Sequence, residues 1–129
     1  MEKTKVKLKA NAVEHNTGNE YRFALEFYVF MQQGRYKAYC PSLDLSSSAD
    51  SFNEAISNFY EAFQLYVETG IEMGTLRQDL AEHGCTIKEG SVLPPPYTVI
   101  FQKQEMKDLL RSETSYERMV TLARIPAFA

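Results

Sequence analysis

Three groups of side chains in this chain are spaced to act together. Lys3, Lys5, Lys7 and Lys9 stand at every second position, a period that puts all four ammonium groups on one face of a β-strand. Such a stripe can contact phosphates, solvate a sheet face, or protect a strand edge from aggregation. Asp50, Glu54, Glu61 and Glu68 form the second group. On a helix the spacings of seven between Glu54, Glu61 and Glu68 line up three carboxylates, a surface suited to a basic protein partner. The third group is Cys40, Cys85, His15 and His83, which falls in no metal-ligand spacing and in no nucleophile–base pattern. His83 stands at an expected helix end, where the dipole favours an imidazolium. The phosphate-binding loop, the dinucleotide fingerprint and the Gly-x-Ser-x-Gly elbow are all missing from the sequence. Neither enzymatic activity, a cofactor nor a small-molecule substrate is therefore expected.

The charge is distributed unevenly around these groups. The chain has 129 residues and a formal charge of −3, yet residues 42–83 hold eight acidic side chains against Arg77 alone. That block should repel nucleic acid and attract basic partners. With 44% hydrophobic and 24% charged residues, the composition is that of a globular protein able to bury a core without metals or disulfides. A single domain is expected, residues 1–83 forming its main body and residues 84–129 an extension packed on it or on a second subunit. No window is apolar enough to span a membrane, and the lysine alternation at residues 3–9 excludes a signal-peptide core, so a cytoplasmic location is expected. Two cysteines are too few for a disulfide framework. Cys40 reads as a buried thiol at a strand end, whereas Cys85, after Gly84, is open to exposure.

Hydrophobic periodicity supplies the elements that position these groups. Residues 3–12 alternate and predict a strand. Asn16, Thr17, Gly18 and Asn19 form a turn cluster. Residues 21–32 predict a central strand, with Phe23, Leu25, Phe27 and Val29 on one face. Gln33 and Gly34 join it by a short hairpin to a strand over residues 35–40. Pro41 ends that pairing, and residues 42–49 cross over to a helix. Ser51 and Glu54 make a capping box at the start of that helix, residues 52–69, which carries Phe52, Ala55, Ile56, Phe59, Phe63, Tyr66 and Val67 as its apolar stripe. Gly70 is placed to stop it. A second helix is expected over residues 76–83 behind a Thr75–Gln78 capping box. Pro94, Pro95 and Pro96 then form an extended spacer. A strand over residues 97–101, a helix over residues 104–111 and a last strand over residues 119–125 complete the expected α+β fold: a small antiparallel sheet of three to four strands with one main helix packed on it.

Residues 30–68 add a resemblance. Gly34, Tyr36, Ala38, Cys40, Pro41, Leu43, Asp44 and Leu45, followed by Asp50, Ser51, Glu54 and Ala55, resemble the run of hairpin, aromatic strand, Cys-Pro step, turn and Glu-Ala helix start in the HicB antitoxin family. Ala49 stands where that pattern usually has Gly. The resemblance implies a partial ribonuclease H-like layer and an antitoxin that covers the RNA-binding surface of a small basic HicA-type, mRNA-cleaving toxin. It also raises a magnesium site built from carboxylates, but Glu26 is the main strand acid available. Family members commonly add a C-terminal DNA-binding element. Only Pro126, Ala127, Phe128 and Ala129 follow the last expected strand, too few for a ribbon-helix-helix unit, so direct DNA binding is not expected. Closed two-fold pairing through that strand would give a homodimer.

Two alternatives stay open at this point. One is nucleic-acid binding by Lys3, Lys5, Lys7 and Lys9 with exposed Tyr28 or Tyr39 as stacking platforms. The other is a regulatory domain without a toxin partner.

Overall fold

The computed structural model describes residues 3–15, 17–100 and 116–122. Its elements in chain order are β1 (Lys3–Val13), β2 (Glu20–Gln32), β3 (Arg35–Cys40), β4 (Leu45–Ala49), α1 (Phe52–Met73), α2 (Leu76–Glu82), β5 (Thr86–Lys88), β6 (Ser91–Leu93), α3 (Tyr97–Ile100) and β7 (Tyr116–Leu122). The fold is α+β, with α1 packed on one face of a mixed sheet ordered β4-β3-β2-β1-β7. The sheet is larger than the expected three to four strands. β1–β2, β2–β3 and β3–β4 are antiparallel, while β7 joins β1 in parallel.

β2 is the organising strand. Its second half pairs with β3 along one edge, Tyr28 opposite Tyr39. Its first half offers a parallel pairing to β6, Phe23 opposite Val92. A strand of 13 residues thus serves two partners. Gln33 and Gly34 turn the β2–β3 hairpin with φ of 53° and 79°, as a two-residue hairpin loop requires.

The alternation in β1 and β2 sends Val6, Leu8, Phe23, Leu25, Phe27 and Val29 into the core under α1. From α1, Ala55, Phe59, Phe63, Val67 and Ile71 descend onto them. Phe27 stacks on Phe59 with ring centroids 4.1 Å apart, and Phe23 meets Phe63 edge-on at 5.0 Å. Burial of each such ring stabilises the fold by roughly 1.5–3 kcal/mol, so helix and sheet stand or fall together. Residues of the extension enter the same core, Cys85 and Val92 among them.

Several elements differ from the sequence expectation, each for a local reason. α1 runs past Gly70 to Met73 and is capped by Gly74 at φ 68°. Gly70 instead lies where a Cβ would come within 3.0 Å of Leu76 Cβ, so its role is close approach of α2. The Thr75 side chain makes no cap hydrogen bond, although its carbonyl accepts from Asp79 N at 2.9 Å. Residues 45–49, expected as part of a crossover, form β4 against β3, Ala38 opposite Ser47. Residues 97–100, expected as a strand, form one helical turn in which the Pro96 carbonyl accepts from Val99 N and Ile100 N. The last strand lies over residues 116–122, with residues 123–125 of the expected strand and the expected helix at residues 104–111 outside the described residues. Cys85 is buried, its thiol 3.5 Å from the Ser42 carbonyl.

Candidate functional site

The first turn of α1 is set by Ser51, whose Oγ accepts from Glu54 N at 3.2 Å. This cap fixes the phase of the helix: the Phe59–Phe63 stripe faces the sheet and the positions of Glu54, Glu61, Leu65 and Glu72 face away. Glu54, Glu61 and Glu72 are exposed, and half-buried Glu68 accepts from Gln64 Nε2 at 3.5 Å. No lysine or arginine occurs in α1. Of the four expected partner-binding residues, Glu54, Glu61 and Glu68 share this outer face. Asp50 stands apart, before the cap, and pairs with Arg35 Nε at 3.3 Å.

A groove of about 440 Å³ runs beside the acidic stripe, between α1 and α2. Its floor includes Leu45 from β4 and Leu76 from α2, and its α1 wall includes Ala62, Leu65 and Thr69. The lining is mostly apolar, and Leu65 at its rim is 63% exposed. Tyr66 and Asp79 also line it, joined by a hydrogen bond from the Tyr66 hydroxyl to Asp79 Oδ2. Burial, and then that bond and the carboxylate's charge, raise the Tyr66 pKa well above the usual tyrosine value.

His83 ties the far end of α2 to the rest of the fold. Its Nδ1 lies 2.8 Å from the Asp79 carbonyl oxygen and 3.5 Å from Asp79 Oδ2, and its Nε2 lies 4.0 Å from Asp44 Oδ2. Asp44 also accepts from the Tyr39 hydroxyl at 2.9 Å. Together these contacts fix α2, and with it one wall of the groove, against the turn between β3 and β4.

The lysine stripe lies on the opposite side of the sheet, because Val6, Leu8 and Ala10 between the lysines face α1. β1 is an interior strand between β2 and β7, not the protected edge considered from sequence. Lys3 is buried, and desolvation lowers its pKa. Lys5 Nζ pairs with Glu26 at 3.0 Å, which occupies the main strand carboxylate. Lys7 is half-buried and Lys9 exposed. Tyr28 and Tyr39, expected as exposed stacking platforms, are both buried, in a cluster with Phe30 and Ile100. Ile100 of the α3 turn is the member of this cluster from outside the sheet. Beside this cluster, Pro94, Pro95 and Pro96 line a smaller hollow of about 250 Å³ with Ala24 and Glu26, Pro95 buried and its two neighbours exposed.

Among the described residues no group of three or more His, Cys, Asp or Glu side chains is placed to hold a metal ion, and no helix is long and apolar enough to cross a membrane. The arrangement offers recognition chemistry: an apolar depression with carboxylates of one sign along its border. Glu61 and Glu68 were legible from their spacing, whereas the groove was not, since it forms only when Leu45, Leu65 and Leu76 meet. The one available signal was Leu65, an apolar residue four positions after Glu61 on the polar side of α1.

Over 63 residues the chain is 40% identical to the UPF0150 protein ssr1765 of Synechocystis sp., an alignment covering 48% of this chain and 68% of that protein. No family model and no solved structure matches the chain.

Proposed function

We propose that this chain, which belongs to the UPF0150 family, is a non-enzymatic, antitoxin-like binding protein that acts in the cytoplasm and holds a basic protein against the outer face of α1. The observation that carries this reading is the charge of that face: Glu54, Glu61, Glu68 and Glu72 lie on a helix with no lysine or arginine. A protein that grips RNA must itself be positive where it does so, and an acidic surface of helical length competes for the same patch. The HicB-like run from Gly34 to Ala55 supports a HicA-type, mRNA-cleaving toxin as that partner. The mechanism is then occlusion, with this chain covering the toxin's RNA-binding surface. A homodimer is the proposed assembly, formed through the sheet edge at β7.

Burial of Tyr28 and Tyr39 and the Lys5–Glu26 pair weigh against nucleic-acid binding through the lysine face. Co-expression with the product of the adjacent gene, followed by size-exclusion chromatography, tests the proposal. A co-eluting complex that abolishes RNA cleavage is the expected result, and independent elution of two folded proteins at micromolar concentration would overturn it.

A further inference from the structure

We propose that the groove between α1, α2 and β4 is an anchor socket for an apolar side chain carried between lysines or arginines on a basic amphipathic segment of the partner. This inference rests on the binding function proposed above and specifies the chemistry of that surface. Three observations converge on it. The groove's volume of about 440 Å³ is ample for a leucine- or phenylalanine-sized side chain. Its floor and walls present carbon, from Leu45, Leu76 and Ala62, and two large hydrophobics left exposed on α1, Leu65 at 63% and Met73 at 69%, stand on the same side of that helix.

The border charge selects the occupant. Asp79 lines the groove itself, and by helical phase Glu61, Glu68 and Glu72 flank its α1 wall and Glu82 its α2 wall. Arg77, the one basic residue of α2, is held 5.7 Å from the Tyr21 ring, on the flank of α2 turned away from the groove by helical phase. Asp79 already accepts from Tyr66, and Glu68 and Glu82 accept from the neutral amides of Gln64 and Gln78, so an uncharged apolar segment would add no counter-charge to this acidic border, and an acidic one would be repelled. Anchoring by one or two desolvated side chains inside a charged border is how compact interfaces concentrate their affinity. Charge would set the encounter rate, and the socket the lifetime of the complex.

The test uses the full chain and two synthetic helical peptides of equal length and charge, one of leucine and lysine, the other with serine in place of leucine. Binding is read by fluorescence anisotropy and mapped by amide chemical shifts. The leucine–lysine peptide is expected to bind at least about tenfold more tightly and to shift the amides of Leu65, Thr69 and Thr75. Leu65→Ser, a change at an exposed position checked for folding by circular dichroism, should erase that preference and leave the salt-sensitive binding of both peptides. Equal binding of the two peptides, a preference that survives Leu65→Ser, shifts confined to another surface, or binding of neither peptide would each overturn the socket. With equal binding, the acidic face alone would hold basic partners and the proposed function would stand. Failure of the co-expressed complex would remove that function whatever the peptides do.

Discussion

The Tyr66 hydroxyl of α1 donates to the Asp79 carboxylate of α2, closing the groove at the point where the two helices meet. The bond is set by tertiary packing, since Leu76 must first lie against Gly70 before Asp79 can reach α1. Folded Tyr66 therefore keeps its proton at pH values where an unfolded tyrosine, with a pKa near 10, releases it. Above about pH 10 unfolding sheds a proton, and the stability held in this group declines as pH rises. Tyr66→Phe should lose stability at neutral pH and show a shallower alkaline decline than the parent protein. Urea titrations between pH 8 and pH 11 measure both, and parallel alkaline slopes would refute the assignment.

Gly70→Ala tests the helix junction. An added Cβ would stand 3.0 Å from Leu76 Cβ and Cδ1 and 3.2 Å from Leu76 Cα. Overpacking of this kind costs about 1–3 kcal/mol, against a gain of up to roughly 1 kcal/mol in helix propensity. A net loss of stability is expected, seen as a lower urea midpoint at unchanged slope. A stabilised variant would mean that α2 can move outward freely.

Charge reversal at Glu61 and Glu68 tests the acidic face. Both side chains lie away from the Phe59–Phe63 stripe, so folding should survive. Association with the basic partner should slow at low salt and lose part of its salt dependence, while dissociation changes little. Stopped-flow or surface-based kinetics at two ionic strengths would show it, and unchanged association rates would reduce this face to a solvated surface.

The expected course of α1 and the observed one show what local pattern can and cannot convey. Ser51 with Glu54 marked the helix start correctly, because a cap is written in adjacent residues. Phe23, Phe27, Phe59 and Phe63 identified the core, because period two and period three-to-four each assign a face. Gly70 misled, since glycine serves equally as a stop signal and as a site of close approach, and only Leu76, brought in from the next helix, decides between them. β4 was missed because Ser46, Ser47 and Ser48 show no apolar alternation. Its strand form comes from pairing with β3 and from Ser47 Oγ, which donates to the Ala55 carbonyl at 3.0 Å. The three acidic positions on α1 were readable in advance, but the apolar groove beside them was written across β4, α1 and α2 and in none of them alone.

Removal of residues 118–129 probes the other end of the molecule. Most of β7 would go, leaving the β1 edge open. The full chain is expected to run as a dimer in light-scattering chromatography, and the truncated chain as a monomer or as aggregates with a lower melting temperature. A truncated protein that remains dimeric and equally stable would show that β7 contributes to neither assembly nor folding.

The parallel pairing of β1 with β7 also sets a timetable. Lys3 is registered against Tyr116, so during synthesis the first strand leaves the ribosome long before its neighbour has been translated. The β1–β2 and β2–β3 hairpins can close at once, since their contacts are local. One flank of β1 must wait, and long-range pairings of this kind are the slow and aggregation-exposed step of folding. The nascent chain therefore passes through a period with an unfinished sheet, in which its survival depends on how fast the remaining residues are delivered and on which chaperone or partner reaches the open strand first.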